Sequence, residues 1–285
     1  MDDRKNSPNH SSFSINIRGE LFDLSVPRVM GVLNLTPDSF YEGSRVQTID
    51  RIILKASELT NEGADILDIG GYSSRPGAVD ISVNDEITRV IEPIRELRKA
   101  FPKIVLSIDT FRKEVAERAL DEGVDIINDI SGGHLDERLL EFVARSKVPF
   151  IAMHMRGNPQ TMKEHTDYED ILFEMTQYFG RIIEKFHSLG GKDLILDPGF
   201  GFAKNIEQNF YLLNRLEHFH HLDKPLLVGL SRKSMIYKTL ECTPEEALNG
   251  TTVLNTLALY KGVNIVRVHD VKPVREVIKL IGKIR

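Results

Sequence analysis

Short apolar runs alternate with longer amphipathic stretches along almost the whole chain. The runs are hydrophobic at consecutive positions rather than at every second one, as in Leu194-Ile195-Leu196. A strand buried on both faces reads this way. Such runs span residues 28–35, 65–71, 104–109, 125–129, 149–155, 194–197, 225–231 and 264–270. Between them the spacing predicts helices at about 48–62, 82–100, 111–122, 136–146, 168–189 and 206–218, another within 244–261, and a last one from Pro273 to the end. Gly63, Gly123, Gly190-Gly191 and Gly262 follow predicted helices, where a glycine closes the last turn.

Strands that alternate with helices pair in parallel through helical crossovers. Eight such units favour closure into an α/β (β/α)8 barrel. The competing fold is an open doubly wound sheet, which commonly carries a Gly-rich phosphate turn after its first strand. Here that turn reads NLTPDSF. Residues 13–26, FSINIRGELFDLSV, read as two short strands around Gly19, a β-hairpin capping one end of the barrel. Residues 1–12 are polar and are expected to be a disordered lead-in, which leaves 13–285 as one barrel domain.

Composition narrows the class. With 41% hydrophobic residues over 285 positions, the chain can build one large core. No stretch approaches the roughly 20 apolar residues of a membrane span, and the N-terminus lacks a secretory core. Cys242 is the single cysteine, which rules out an internal disulfide or a cysteine metal cluster and suits a reducing cytoplasm. A net charge of −5 argues against general nucleic-acid binding.

In such a barrel the chemistry lies where the strands end, and every predicted strand ends in polar groups. In order these are Asn34, Asp68, Asp109, Asn128-Asp129, His154-Met155-Arg156, Asp197, Ser231-Arg232-Lys233-Ser234 and Arg267-Val268-His269. Carboxylates and an amide (Asp109, Asn128, Asp197) suit a flat heterocycle rich in N–H donors. The cations Arg75, Arg232, Lys233 and Arg267, with His269, suit phosphate. Asp68 reads as an internal hydrogen-bond partner. Asn128 and Asp129 are strand neighbours and point oppositely, so only one faces the site. His154 lies between two methionines and reads as a core histidine; His218, His220 and His221 read as surface residues. Phe40 and Phe202, in loops at the mouth, could wall a ring.

Taken together the motifs MGVLNLTPDSF, DIGGYSSRPGA, SIDT, INDISGG, MHMRGNPQTM, LDPGFGFAKN, GLSRKSM and VRVHDV resemble the dihydropteroate synthase family from about residue 14 onward. The resemblance implies a pterin-binding TIM barrel of folate biosynthesis, a cytoplasmic alkyl transferase and the target of sulfonamides. Such enzymes join 6-hydroxymethyl-7,8-dihydropterin diphosphate to 4-aminobenzoate, release pyrophosphate, use Mg2+ and form homodimers. Carried onto this sequence, it gives a pterin set of Asp109, Asn128, Met153, Asp197, Phe202 and Lys233. Asn34, Arg75, Arg267 and His269 fall to the diphosphate, with Asn34 at the metal. Phe40, Ser74, Arg75, Pro76, Lys233 and Ser234 fall to the aminobenzoate. Asp197, Lys233 and Asp38 carry the catalytic roles. The chain departs from the usual pattern at Tyr72, where Glu is common, and at Ser74, where Thr is. Ala203 and Asn205 replace a usual Gly and Thr, and Tyr41-Glu42 replaces smaller residues. Two other readings share the barrel or the ligand: a pterin-binding methyltransferase domain of a corrinoid system, and a pterin-binding protein without catalysis. A barrel metal hydrolase would usually begin with His-x-His on its first strand, which is absent here.

Overall fold

The computed structural model describes residues 13–35, 45–74 and 79–284. The expected lead-in over 1–12 lies outside these residues. The hairpin is formed by β1 (Ser14–Ile17) and β2 (Glu20–Asp23), paired antiparallel. The barrel strands follow: β3 (Arg28–Asn34), β4 (Ile66–Gly70), β5 (Val105–Asp109), β6 (Ile126–Asp129), β7 (Phe150–Met153), β8 (Leu194–Asp197), β9 (Leu227–Val228) and β10 (Ile265–Val268). All neighbouring pairs are parallel, in the spatial order β8-β7-β6-β5-β4-β3-β10-β9. A parallel bridge between Leu196 and Leu226 joins the two ends of that row and closes the ring. The Leu196 N–H reinforces it by donating to the Pro225 carbonyl at 2.9 Å.

Helices fill the crossovers: α1 (Arg45–Asn61), α2 (Val83–Ala100), α3 (Lys113–Asp121), α4 (Glu137–Ser146), α5 (Ile171–Ser188), α6 (Ile206–Asn214), α7 (Ser234–Tyr237), α8 (Leu248–Tyr260) and α9 (Val271–Ile284). Their starts are chemically marked. Ser82 and Asp85 form a capping box on α2, and Asn205 with Gln208 forms one on α6. Asp136 and Asp170 cap α4 and α5 with their carboxylates. Among the described residues no helix is long and apolar enough to cross a membrane.

The strand period of two sorts the side chains. Outward positions such as Leu67, Leu106, Ile127 and Leu196 join the helices in the main core. Inward positions form layers. The lowest is wholly apolar: Met30, Ile66, Val105, Ile126, Ile151, Ile195, Leu227 and Ile265. Ile15, Ile17 and Leu24 from the hairpin region pack onto that layer, so the hairpin seals the N-terminal end of the barrel. Asn264 latches it, accepting from the Leu226 N–H at 3.0 Å and donating to the Leu24 carbonyl at 3.2 Å.

Several boundaries differ from expectation. The seventh barrel strand was expected over 225–231, but only Leu227–Val228 form a strand, with Leu226 adding the isolated bridge to Leu196. Beyond them Gly229 has no side chain to pack, and the chain leaves the ladder for the mouth. The helix expected over 206–218 stops at Asn214, because Arg215 has left helical dihedrals (φ −117°, ψ 25°); a 3-10 turn, Leu216–Leu222, follows. Phe111 and Arg112, expected at the start of a helix, precede α3 instead. Removing a plug side chain tests the seal: Ile15→Ala should lower unfolding stability by about 2–5 kcal/mol, read from urea denaturation. Ligand binding at the opposite end should be unchanged.

Candidate active site

The layers above the apolar one bring polar groups inward. At the centre stands Arg267 of β10. Its Nε donates to Asp68 Oδ2 at 2.6 Å and its Nη2 to Asp109 Oδ2 at 2.8 Å. Asp68 also accepts from Asn128 Nδ2 at 3.1 Å. Asp68 is fully buried, which bears out its reading as an internal partner. It holds Arg267 and Asn128 in place from below. Burial and the neighbouring carboxylates Asp68, Glu86 and Asp129 push Asp109 up to about 7, against the opposing pull of Arg267. The guanidinium has the reverse balance. Burial disfavours its charge, and Asp68 and Asp109 outweigh it.

Asp197 ends β8 and is buried. Its Oδ1 accepts the Gly199 N–H at 2.8 Å, so the same carboxylate also shapes the turn that follows β8. Burial raises its pKa, while Lys233, the Gly199 N–H and Arg267 favour the charged form. Lys233 is the matching cation. Burial lowers it to about 8, with Asp197 acting in the opposite sense. Its Nζ donates to the Phe200 carbonyl and lies 5.0 Å from the centre of the Phe202 ring. Met153, Phe202 and Ala203 belong to one small apolar cluster with Ile130, Met155 and Met162. That cluster gives the charged groups an apolar wall.

Glycines leave the space between these groups. A Cβ at Gly229 would stand 3.7 Å from Lys233 Nζ and 3.9 Å from Arg267 Cβ. One at Gly70 would stand 3.5 Å from Asn34 Oδ1 and 3.9 Å from Asp109 Oδ2. Only their positions inside a barrel give these glycines this meaning.

Higher on the rim, His269 is exposed, with Nδ1 3.0 Å from Ser231 Oγ. Ser234 begins the short helix α7 directly after Lys233, and Ser74 is half-buried after β4. Asp38, Phe40, Arg75 and Pro76, together with Tyr41-Glu42, lie outside the described residues. Arg232 corrects the sequence reading, which grouped it with phosphate-gripping cations. It has φ +53° and turns away from Lys233. Its guanidinium pairs with Asp270 at 2.9 and 3.1 Å and donates to the Pro244 and Glu245 carbonyls at 2.8 and 2.6 Å. It stitches the last two loops together.

The other bland readings hold, except that His220, expected at the surface, is half-buried. Asp129 faces away from Asn128 and accepts the Ser131 and Gly133 N–H groups at 2.7 and 2.6 Å. His154 is buried, edge-on to Tyr178 at 4.8 Å. His218 and His221 are exposed, with His218 near Thr176. Sequence reasoning missed Tyr72 as a brace. Its hydroxyl accepts from Gln160 Nε2 at 2.9 Å, its ring meets Phe111 edge-on at 5.1 Å, and Arg112 lies over it at 5.2 Å. It also missed Lys204, whose only signal was its place within LDPGFGFAKN.

Residues 30–269 match the model of the family described as pterin binding enzyme. The dihydropteroate synthase of Escherichia coli K12 is 42% identical over 267 residues, 93% of this chain and 94% of its own length. The crystal structure of Yersinia pestis dihydropteroate synthase with a sulfonamide drug complex superposes with a TM-score of 0.89 at 37% identity, covering 96% of this chain and 99% of that one. The Xanthomonas albilineans dihydropteroate synthase with 4-aminobenzoic acid gives 0.89 at 35%, over 96% and 98% of the two chains. A closed eight-stranded barrel with acceptor groups gathered at one end, matched along nearly its whole length by these enzymes, identifies the chain as a member of the dihydropteroate synthase family of transferases.

Proposed function

We propose that the chain condenses 6-hydroxymethyl-7,8-dihydropterin diphosphate with 4-aminobenzoate to give 7,8-dihydropteroate and pyrophosphate, at the site built around Asp109, Asn128, Asp197, Lys233 and Arg267. The observation that carries this reading is the convergence of two carboxylates and an amide with two cations on the inward face of one barrel end. The carboxylates accept N–H bonds from the pterin ring, and the amide both donates and accepts. The apolar wall of Met153 and Phe202 packs the ring edge.

The reaction is displacement at the exocyclic CH2 of the pterin. The amine nitrogen forms the new C–N bond and gives up a proton, which passes to the released pyrophosphate or to solvent. The C–O bond to the diphosphate breaks, and its electron pair leaves with the pyrophosphate. Positive charge spreads into the pterin as the leaving group departs, and the buried Asp197 carboxylate stabilises it in a site of low polarity. Lys233 favours the ionised form of Asp197 and donates to the ring. Arg267 and His269 meet the diphosphate, Arg267 from the barrel floor and His269 from the rim. Asp38, Phe40, Ser74, Arg75, Pro76 and Ser234 receive the aminobenzoate and orient its amine. Sulfonamides compete for that position; the drug complex of the Yersinia pestis relative supports this.

A Mg2+ site fits the residues present. The amide oxygen of Asn34 borders the open position above Gly70. Among the described residues no group of three or more His, Cys, Asp or Glu could hold a metal. Asn34 would be the protein ligand of Mg2+, and the ion would draw charge from the leaving diphosphate.

The chain is proposed to act as a cytoplasmic homodimer. Helix α8 exposes Val253, Leu257 and Tyr260 at helical spacing, while its opposite face is buried in the core. A helix apolar on both sides is one covered on both sides. Leu280 and Ile284 of α9 extend the patch.

Three measurements test these statements. Pyrophosphate release should require both the pterin diphosphate and 4-aminobenzoate, and Asp197→Asn should cut kcat by roughly a hundredfold or more with the fold intact; near-normal turnover would sink the role of Asp197. The second concerns pH. Lys233 acts in its charged form, which is present below its pKa, so pterin affinity should hold at neutral pH and fall as pH rises through about 8; an affinity flat to pH 9.5 would speak against it. Finally, sedimentation should give a dimer mass, and Leu257→Glu should give a monomer.

A further inference from the structure

A further buried cation, Lys204, lies beside the site, and the reaction above gives it no task. Lys204 is 7% exposed. Its Nζ stands 2.9 Å from the Phe202 carbonyl, 3.1 Å from that of Gly199, 3.4 Å from that of His154 and 3.0 Å from His154 Nδ1. An ammonium offers three N–H donors, so this head is fully engaged by backbone and imidazole. Burial works against its charge, and the favourable influence comes from Asp197. A cation buried among carbonyl dipoles costs more than an apolar side chain of the same length. Its presence calls for a geometric reason.

The loop it grips supplies one. Gly199, Gly201 and Ala203 all have left-handed φ (+68°, +82° and +50°). The backbone passes so close to β7 that a Cβ at Gly199 would lie 2.2 Å from the His154 carbonyl oxygen. Of these only Ala203 holds its left-handed conformation at a steric cost, while the glycines leave the loop backbone free to take up other conformations. Three groups hold them from behind. Asn209 Oδ1 accepts the Gly201 N–H at 2.7 Å, Tyr168 donates to the Ala203 carbonyl at 2.9 Å, and Lys204 gathers the rest. The same loop faces the site through Phe200, whose carbonyl accepts from Lys233, and Phe202, whose ring borders Lys233. Two lysines therefore grip one loop, Lys233 from the site and Lys204 from outside it.

We propose that Lys204 is a positioning residue for the pterin pocket: by tying the carbonyls of residues 154, 199 and 202 to one ammonium, it fixes the Phe202 ring and the Phe200 carbonyl against Lys233. The proposal rests on the pterin reading of the site. It is tested by calorimetric titration of 6-hydroxymethylpterin into the unmutated chain, Lys204→Met, Lys204→Gln, Phe202→Leu and the Lys204→Met/Phe202→Leu double variant, with steady-state kinetics alongside. Lys204→Met should bind pterin about tenfold more weakly and lose kcat to a similar degree, since a displacement of about 1 Å in a positioned group costs up to a hundredfold. KM for 4-aminobenzoate should be unchanged. In the Phe202→Leu background the loss should largely disappear, because the two residues act as one unit. Lys204→Gln keeps two N–H donors and should fall between; if Lys204→Met does not fold, a loss of about fivefold or more in Lys204→Gln supports the proposal on the same scale. Pterin affinity within about twofold of the unmutated chain in whichever variants fold, or additive losses in the double variant, would mean that Lys204 only stabilises the fold and overturns the proposal. Failure of the unmutated chain to bind pterin would instead overturn the site reading beneath it.

Discussion

A side chain on a strand of a closed barrel can point only inward or outward, and the choice alternates. The rest of this structure follows from that constraint. Outward positions meet helices and are apolar, apart from Asp129 at the end of β6. Inward positions meet one another, so each layer across the barrel must be chemically consistent by itself. The lowest layer is consistent because it is entirely apolar and the hairpin covers it. The layers above are consistent because Arg267 is matched to Asp68 and Asp109, and Lys233 to Asp197. Three carboxylates against two cations leave an excess of acceptor character. A ring edge rich in N–H groups is the natural complement of such an interior.

Where a residue's role follows from this alternation, the sequence was enough to read it. Asn128 inward and Asp129 outward, Asp68 as a buried support, and the hairpin as a cap all come from period and position. So does the eight-unit order of the fold. The roles that stayed hidden depend on single backbone turns. Arg232 and Lys233 are adjacent cations, and one positive φ sends the first to Asp270 and leaves the second at the site. Lys204 looks like any solvated lysine until three left-handed residues fold the loop around it. The shortened β9 was equally hidden, since Leu226, which makes only the isolated bridge to Leu196, and Leu230 are as apolar as Leu227 and Val228.

Two departures from the family pattern gain a physical account. Ala203 holds φ +50°, a conformation glycine adopts freely and alanine at a cost of about 1–2 kcal/mol. Tyr168 and the small apolar cluster around Ala203 offset part of that cost. Tyr72 replaces a common carboxylate with a ring, and the ring is used: Phe111, Arg112 and Gln160 converge on it from two other loops. The substitution exchanges a charge at the mouth for an aromatic brace between loops. For Ser74 and Asn205 the outcome is plainer. Asn205 caps α6 as well as the usual Thr would, and nothing in the structure explains Ser74.

The hairpin and the Asn264 latch make the barrel a well with one opening. Whatever sits on Asp109, Asn128 and Asp197 lies deeper than anything held at the rim. Traffic through a single mouth imposes a sequence on events. Anything held on those deep groups must arrive before whatever covers the mouth above it, and can leave only once that cover has gone.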